Sequence, residues 1–349
     1  KSVDFPINSE LNLIDKCAFS KSALINISIP SNVQEIGENA FFGCREFKKV
    51  NFSLNSNLKT IGKSAFSKSS IEEIIIPSSV SYIGERAFSY CDRLIKVFFP
   101  ENSNLSSIIK DGFSGTLIEK ISIPPNVKVI EERAFFNCKK LLAVDFPMNS
   151  NLQLIDKDAF SGTSLVNVLI SPKVNQIGER CFSDCNQLES IEFPENSELQ
   201  SIDKDAFSAT SLKEISIPSK VTQIGEGAFF NCNQLTSVLF SINSELCYID
   251  KDSFSGTSIE SIFIPSSVKQ IGERAFSYCE KLKFVEFSQN SELHSIGKFA
   301  FSSSSINHIK ISSGVKTIGE RAFDYCSNLE SIEFLCDTIC LGNFISNNC

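Results

Sequence analysis

Histidine is nearly missing from this chain and tryptophan is absent: 349 residues include only His294 and His308, and no Trp. Two isolated histidines nearly remove histidine-based metal sites and catalytic triads. Positive charge is in deficit, with 33 Lys+Arg against 41 Asp+Glu and a net charge of −8. Without a basic run nothing neutralises phosphates, so neither nucleic acid nor an anionic membrane surface is an expected partner. No stretch approaches the roughly 18–20 apolar residues of a membrane helix, and no membrane span is expected in this chain. Also missing are G-x-S-x-G, H-E-x-x-H, C-x-x-C and any glycine-rich phosphate loop. These absences point away from an enzyme, a cofactor or a metal. The opening Lys1-Ser2-Val3-Asp4-Phe5-Pro6 lacks the apolar run of a signal peptide. It reads as the middle of a unit that recurs later, so the chain is expected to be a fragment.

What is present is regular. Hydrophobic residues at 42% and charged residues at 21% are ordinary for a folded protein, but Phe (31) and Cys (13) are abundant. A Phe, usually after Ala, recurs at 19, 41, 66, 88, 113, 135, 160, 182, 207, 229, 254, 276, 301 and 323. The spacings alternate between 22 and 25, which makes a 47-residue double repeat. Self-similarity at this period is the signature of a solenoid. Each unit contains an apolar L-x-x-L-x-L segment, such as Ile71, Ile74 and Ile76, whose end alternates with period two as a half-buried strand does. A proline follows most of these strands, as at Pro77, Pro100 and Pro265. It has no N–H for a ladder and marks the strand exit. Each long unit then carries an Asn-Ser turn, such as Asn102-Ser103. The V-x-x-I segment (Val80, Ile83) is expected to return the chain as a second short strand, and the G-E-R-A-F stretch after it is expected to be a tight turn or one helical turn. Fourteen rungs at about 4.8 Å each make a rod or arc of roughly 70 Å.

Ala87, Phe88, Cys91, Leu94, Val97 and Phe99, together with Ile264, Pro265, Val268, Ile271, Gly272, Ala275 and Phe276, resemble the BspA-like leucine-rich repeat family. The strict alternation and the Asn-, Ile- and Lys-rich composition look like a protist member. The resemblance implies a β-rich solenoid: a right-handed leucine-rich repeat superhelix with a parallel concave sheet, alternating 22- and 25-residue repeats. Residues 1–334 form the solenoid and 335–349 a decaying repeat or C-terminal cap. It also implies a surface adhesin or antigen, exposed or secreted, that binds a host extracellular matrix or cell-surface protein. The alternative is a cytoplasmic scaffold for a protein of its own cell. Oligomeric state stays open.

The cysteines divide into a column and an end group. Cys44, Cys91, Cys138, Cys185, Cys232, Cys279 and Cys326 recur every 47 residues, or two rungs. Two rungs is roughly 10 Å, beyond the reach of a disulfide, so these are expected to be small buried fillers. Cys336, Cys340 and Cys349 lie where the repeat decays, and a cap disulfide among them is one possibility. His294 and His308 are expected to be solvated. The Asp-Lys-Asp triplets at 156–158, 203–205 and 250–252 are expected to be a solvated turn. Their first Asp exchanges with Gly37, Gly62 and Gly84, which suggests a left-handed conformation there.

Solenoids of this kind bind through the concave sheet. Outward strand positions not demanded by the repeat include Leu239, Phe263 and Phe284 on consecutive rungs, with Glu286 beside them, and Ile75 and Phe98 on an adjacent pair. Contiguous exposed apolar residues mark contact sites, although they also serve as cross-strand packing. Three N-x-S sequons, at Asn26, Asn51 and Asn104, are candidate glycosylation sites near the N-terminal end of the sheet.

Overall fold

A computed structural model describes residues 2–6, 8–335, 340–343, 345, 346 and 349. Two units succeed each other, Lys1–Lys173 and Val174–Cys349. Each is a parallel β-solenoid, and no helix occurs among the described residues.

In the first unit the broad sheet comprises Ser2–Val3, Asn26–Ile29, Lys49–Phe52, Glu73–Ile75, Lys96–Phe98, Lys120–Ser122 and Ala143–Asp145, in chain order and parallel. Period-two alternation decides which side chains enter the core: Ile74 is 2% exposed and Ile75 is 65%. The V-x-x-I segments end in two-residue strands that stack into a second ladder, for example Thr60–Ile61 against Tyr82–Ile83. The second unit repeats both ladders, as in Glu214–Ile217 against Ser237–Phe240 and Gln223–Ile224 against Tyr248–Ile249. Its ladder continues past 335, since Cys340–Leu341 pairs with Thr317–Ile318. Asn343 and Ile345 also accept backbone bonds from Arg321 and Phe323. Where it is described, the chain beyond 335 thus pairs with the preceding rung.

Of the two forms expected for the G-E-R-A-F stretch, the structure shows tight turns and not a helical turn. Alternate N–H groups point along and across the rungs: those of Arg86, Phe88 and Tyr90 donate to Lys110, Gly112 and Ser114 of the next rung. Those of Ala87, Ser89 and Cys91 instead close turns onto Gly84, Arg86 and Phe88. This third ladder requires left-handed residues at two places per rung, here Arg86 (φ 59°) and Tyr90 (φ 55°). For L-residues that costs on the order of 1 kcal/mol each, offset by satisfied backbone groups. The left-handed positions are thus two residues beyond where the Gly/Asp exchange suggested, at Asp158, Asp205 and Asp252 rather than Asp156, Asp203 and Asp250.

Gly272 is small for another reason. A Cβ there would lie 2.6 Å from the backbone of Asp250 and Lys251 in the preceding rung. Gly272→Ala is expected to lower stability by about 1–3 kcal/mol through this overpacking, read as a lower denaturant midpoint.

Inside each unit the A-F rings form a stack. Phe19, Phe41, Phe66, Phe88, Phe113, Phe135 and Phe160 follow one another at 5.1–5.5 Å with nearly parallel planes. Phe182 through Phe323 do the same in the second unit. Offset stacking adds to the burial of each ring.

Candidate binding face and the thiol column

The cysteine column is buried as expected, but its members are more than fillers. Cys91 Sγ lies 3.0 Å from the Phe66 carbonyl oxygen of the preceding rung, and Cys138, Cys232 and Cys279 make the same bond to Phe113, Phe207 and Phe254. In the intervening rungs the site holds Thr or Ser. Thr210 Oγ1 donates to the Phe207 carbonyl of its own rung and touches Cys232 Sγ at 3.1 Å. A thiol reaches back one rung while a hydroxyl reaches its own, which gives the two-rung alternation a chemical reason. Burial pushes the Cys91 thiol up to about 12 and those of Cys138, Cys232 and Cys279 up to about 11. Of the end group, Cys340 is an exposed free thiol. Cys349 places Sγ 3.0 Å from the Phe323 carbonyl oxygen, and Cys336 lies outside the described residues.

The Asp-Lys-Asp turns are not simply solvated. Asp158 is buried, and Asp252 receives two bonds from Arg274, at 2.8 and 2.9 Å. Asp111, in the same column, is buried between Arg86 at 3.3 Å and Arg133 at 3.4 Å on the rungs either side. Where the following rung offers Gly227 instead of an arginine, burial raises the carboxyl of Asp205 above its usual range. The middle lysines join a surface ladder, as in Lys204 to Glu226 at 3.3 Å. His308 is exposed as expected, and at the surface its Nδ1 is 2.9 Å from Ser331 Oγ on the paired strand and its Nε2 3.4 Å from Glu330. Among the described residues, no group of three or more His, Cys, Asp and Glu is placed to hold a metal ion. Among the described residues, no helix is long and apolar enough to cross a membrane.

Each candidate contact residue stands on the outward side of a strand of its own unit. Ile75 and Phe98 face each other across a strand pair, both more than half exposed. Phe263 and Phe284 also lie on paired strands, but in adjoining columns: Phe263 is opposite Glu286, and Phe284 opposite Ser261. Leu239 is opposite Ser216. The sequons at Asn26, Asn51 and Asn104 are exposed.

Two features escaped the sequence reading. The pair Ile75 and Phe98 opens into a groove of about 680 Å³, also lined by Leu54, Pro77, Pro100 and three lysines. Leu54, at the tip of its Asn-Ser turn, is fully exposed, as Ile242 is in the second unit. The signal for both was available, since Glu101 and Glu195 occupy the same place in other long units.

A sequence model described as BspA type leucine rich repeat region matches in six copies, within residues 12–142, 106–236 and 247–349. Among solved structures, a leucine-rich repeat protein from Bacteroides ovatus is 25% identical over 96% of this chain and 92% of its own, with a TM-score of 0.70. The pneumococcal vaccine antigen PcpA shares the fold at 21% identity, covering 94% of this chain and 85% of its own, with a TM-score of 0.54. No curated protein matches the chain.

Proposed function

Since the chain belongs to the BspA-type leucine-rich repeat family, we propose that this protein-interaction scaffold works as a non-enzymatic adhesin at a cell surface, holding a host matrix or cell-surface protein against the broad sheet. The observation that carries the reading is the row of outward apolar side chains that the repeat does not need. Leu239, Phe263 and Phe284 are each more than half exposed on successive strands, while their neighbours Val238, Ile262 and Val285 fill the core. Apolar centres with polar borders, here Glu286 and Glu214, are the anatomy of a protein contact. A rigid sheet loses little freedom on docking.

Surface biotinylation of intact source cells, followed by binding to immobilised matrix proteins, tests the reading. The protein is expected to be labelled, and Phe263→Ala to weaken binding by about 1 kcal/mol or more without lowering the unfolding midpoint. Lys251→Ala, on the turn side, is the control expected to bind normally. Labelling only after lysis overturns the surface assignment. It favours a second reading, an intracellular scaffold, which the exposed free thiols of Cys17 and Cys340 support: such thiols persist most readily in a reducing compartment.

A further inference from the structure

The groove at Ile75 and Phe98 differs from its surroundings in charge. The whole chain carries 33 Lys+Arg and 41 Asp+Glu, yet the groove is lined by Lys49, Lys96 and Lys120 against a single Glu73. The strand register produces this cluster, because Lys49 is opposite Glu73, Glu73 opposite Lys96, and Lys96 opposite Lys120. Lys120 is paired with Asp145 at 3.0 Å. Neither Lys49 nor Lys96 has an ion-pair partner among the described residues, and both are exposed. The apolar row of the second unit has the opposite sign beside it, with Glu286 directly across from Phe263. The basic rim is therefore a property of this groove and not of the sheet face in general.

We propose that the groove binds an acidic, extended peptide segment of a partner protein. Leucine or phenylalanine side chains of the segment seat against Ile75 and Phe98, and its carboxylates meet Lys49 and Lys96. The two lysines stand two strand spacings apart, about 10 Å, the span of about three extended residues. Acidic residues three positions apart, with two apolar residues between them, match that spacing. A polar polyanion would satisfy the lysines but leave Ile75, Phe98 and the fully exposed Leu54 wet, so the apolar floor selects a peptide. This inference rests on the reading that the broad face binds protein, and it adds the chemistry of one partner segment.

The test is fluorescence anisotropy with a short labelled peptide that carries Asp or Glu at every third position and Leu and Phe between them, titrated with the full chain. Saturable binding that weakens with added salt is expected. Combining Lys49→Glu with Lys96→Glu is expected to lower affinity about tenfold or more. Ile75→Ser is expected to lower it about tenfold, the scale of a lost apolar anchor. All three side chains are exposed, so an unchanged unfolding midpoint shows that the variants keep the fold. The proposal is overturned if the peptide does not bind, if either variant binds it like the parent protein, or if a peptide with Ser in place of Leu and Phe binds equally well. That last result means that the lysines recognise any polyanion. Phe263→Ala is expected to leave peptide binding unchanged. Should the peptide fail while matrix binding still depends on Phe263, the groove is not a site and the adhesin reading stands. Should the peptide bind while no surface partner is found, the groove stands and the adhesin reading falls.

Discussion

Raising the pH from about 9 to about 11 is expected to destabilise the solenoid. The buried thiols of Cys91, Cys138, Cys232 and Cys279 are held protonated, up to about 12 for the first and about 11 for the others, against 9.0 for an ordinary cysteine. In the unfolded chain the same thiols ionise near 9. Over this window the folded state binds more protons, so stability falls as pH rises: present in full below pH 9 and lost as pH climbs toward 11 or 12. Two units of pKa correspond to about 2–3 kcal/mol per thiol, felt first in the rungs that carry one. Circular dichroism against pH follows the transition. Replacing the four cysteines by alanine is expected to flatten the slope while keeping every other titrating group. A thiol reagent at neutral pH is expected to label Cys17 and Cys340 at once, and the four column thiols only after denaturant is added.

Phe207→Ala is expected to cost about 3–5 kcal/mol. The ring is fully buried and stacks 5.5 Å from Phe182 and 5.4 Å from Phe229. Neighbouring rungs have no slack to fill the void, because their backbones are tied by three ladders at a fixed spacing. Stability in a repeat array is a sum over adjacent units, so the damage stays local at first. Hydrogen exchange is expected to accelerate around residues 182–229 before it does elsewhere. Equal acceleration along the whole chain would contradict nearest-neighbour coupling.

The fold was legible because it is periodic. The A-F spacing, the strand alternation and the strand-exit prolines each repeat many times, and repetition separates signal from chance. Single residues were harder to read. Asp158 in a triplet with Lys157 looks solvated, but its fate depends on what the adjoining rungs supply, and an arginine or a glycine there changes its burial. Gly84 looked like a conformational glycine, yet its backbone needs no left-handed φ. It is small because another rung lies against it, at a distance that nothing in its own unit records. The left-handed residues were hidden for the converse reason. Arg86 and Tyr90 are not residues that favour that conformation, and only the bonds to Lys110 and Ser114 on the next rung hold them there.

Sequence alone determined the repeat, the parallel strands, the side each strand residue faces and the burial of the thiol column. These follow from periodicity within one unit and from the steric requirement that like units stack. Tertiary structure decided what lies between units: which oxygen each thiol meets, which carboxylate lies between two arginines, and where the outward face opens into a groove. The physical reason is register. A residue on one rung meets its partner 22 to 25 positions away, and the turn between them sets which side chains stand opposite. Lys49, Glu73, Lys96 and Lys120 are unremarkable where they occur in the chain, and become a charged rim around Ile75 and Phe98 only when four strands align.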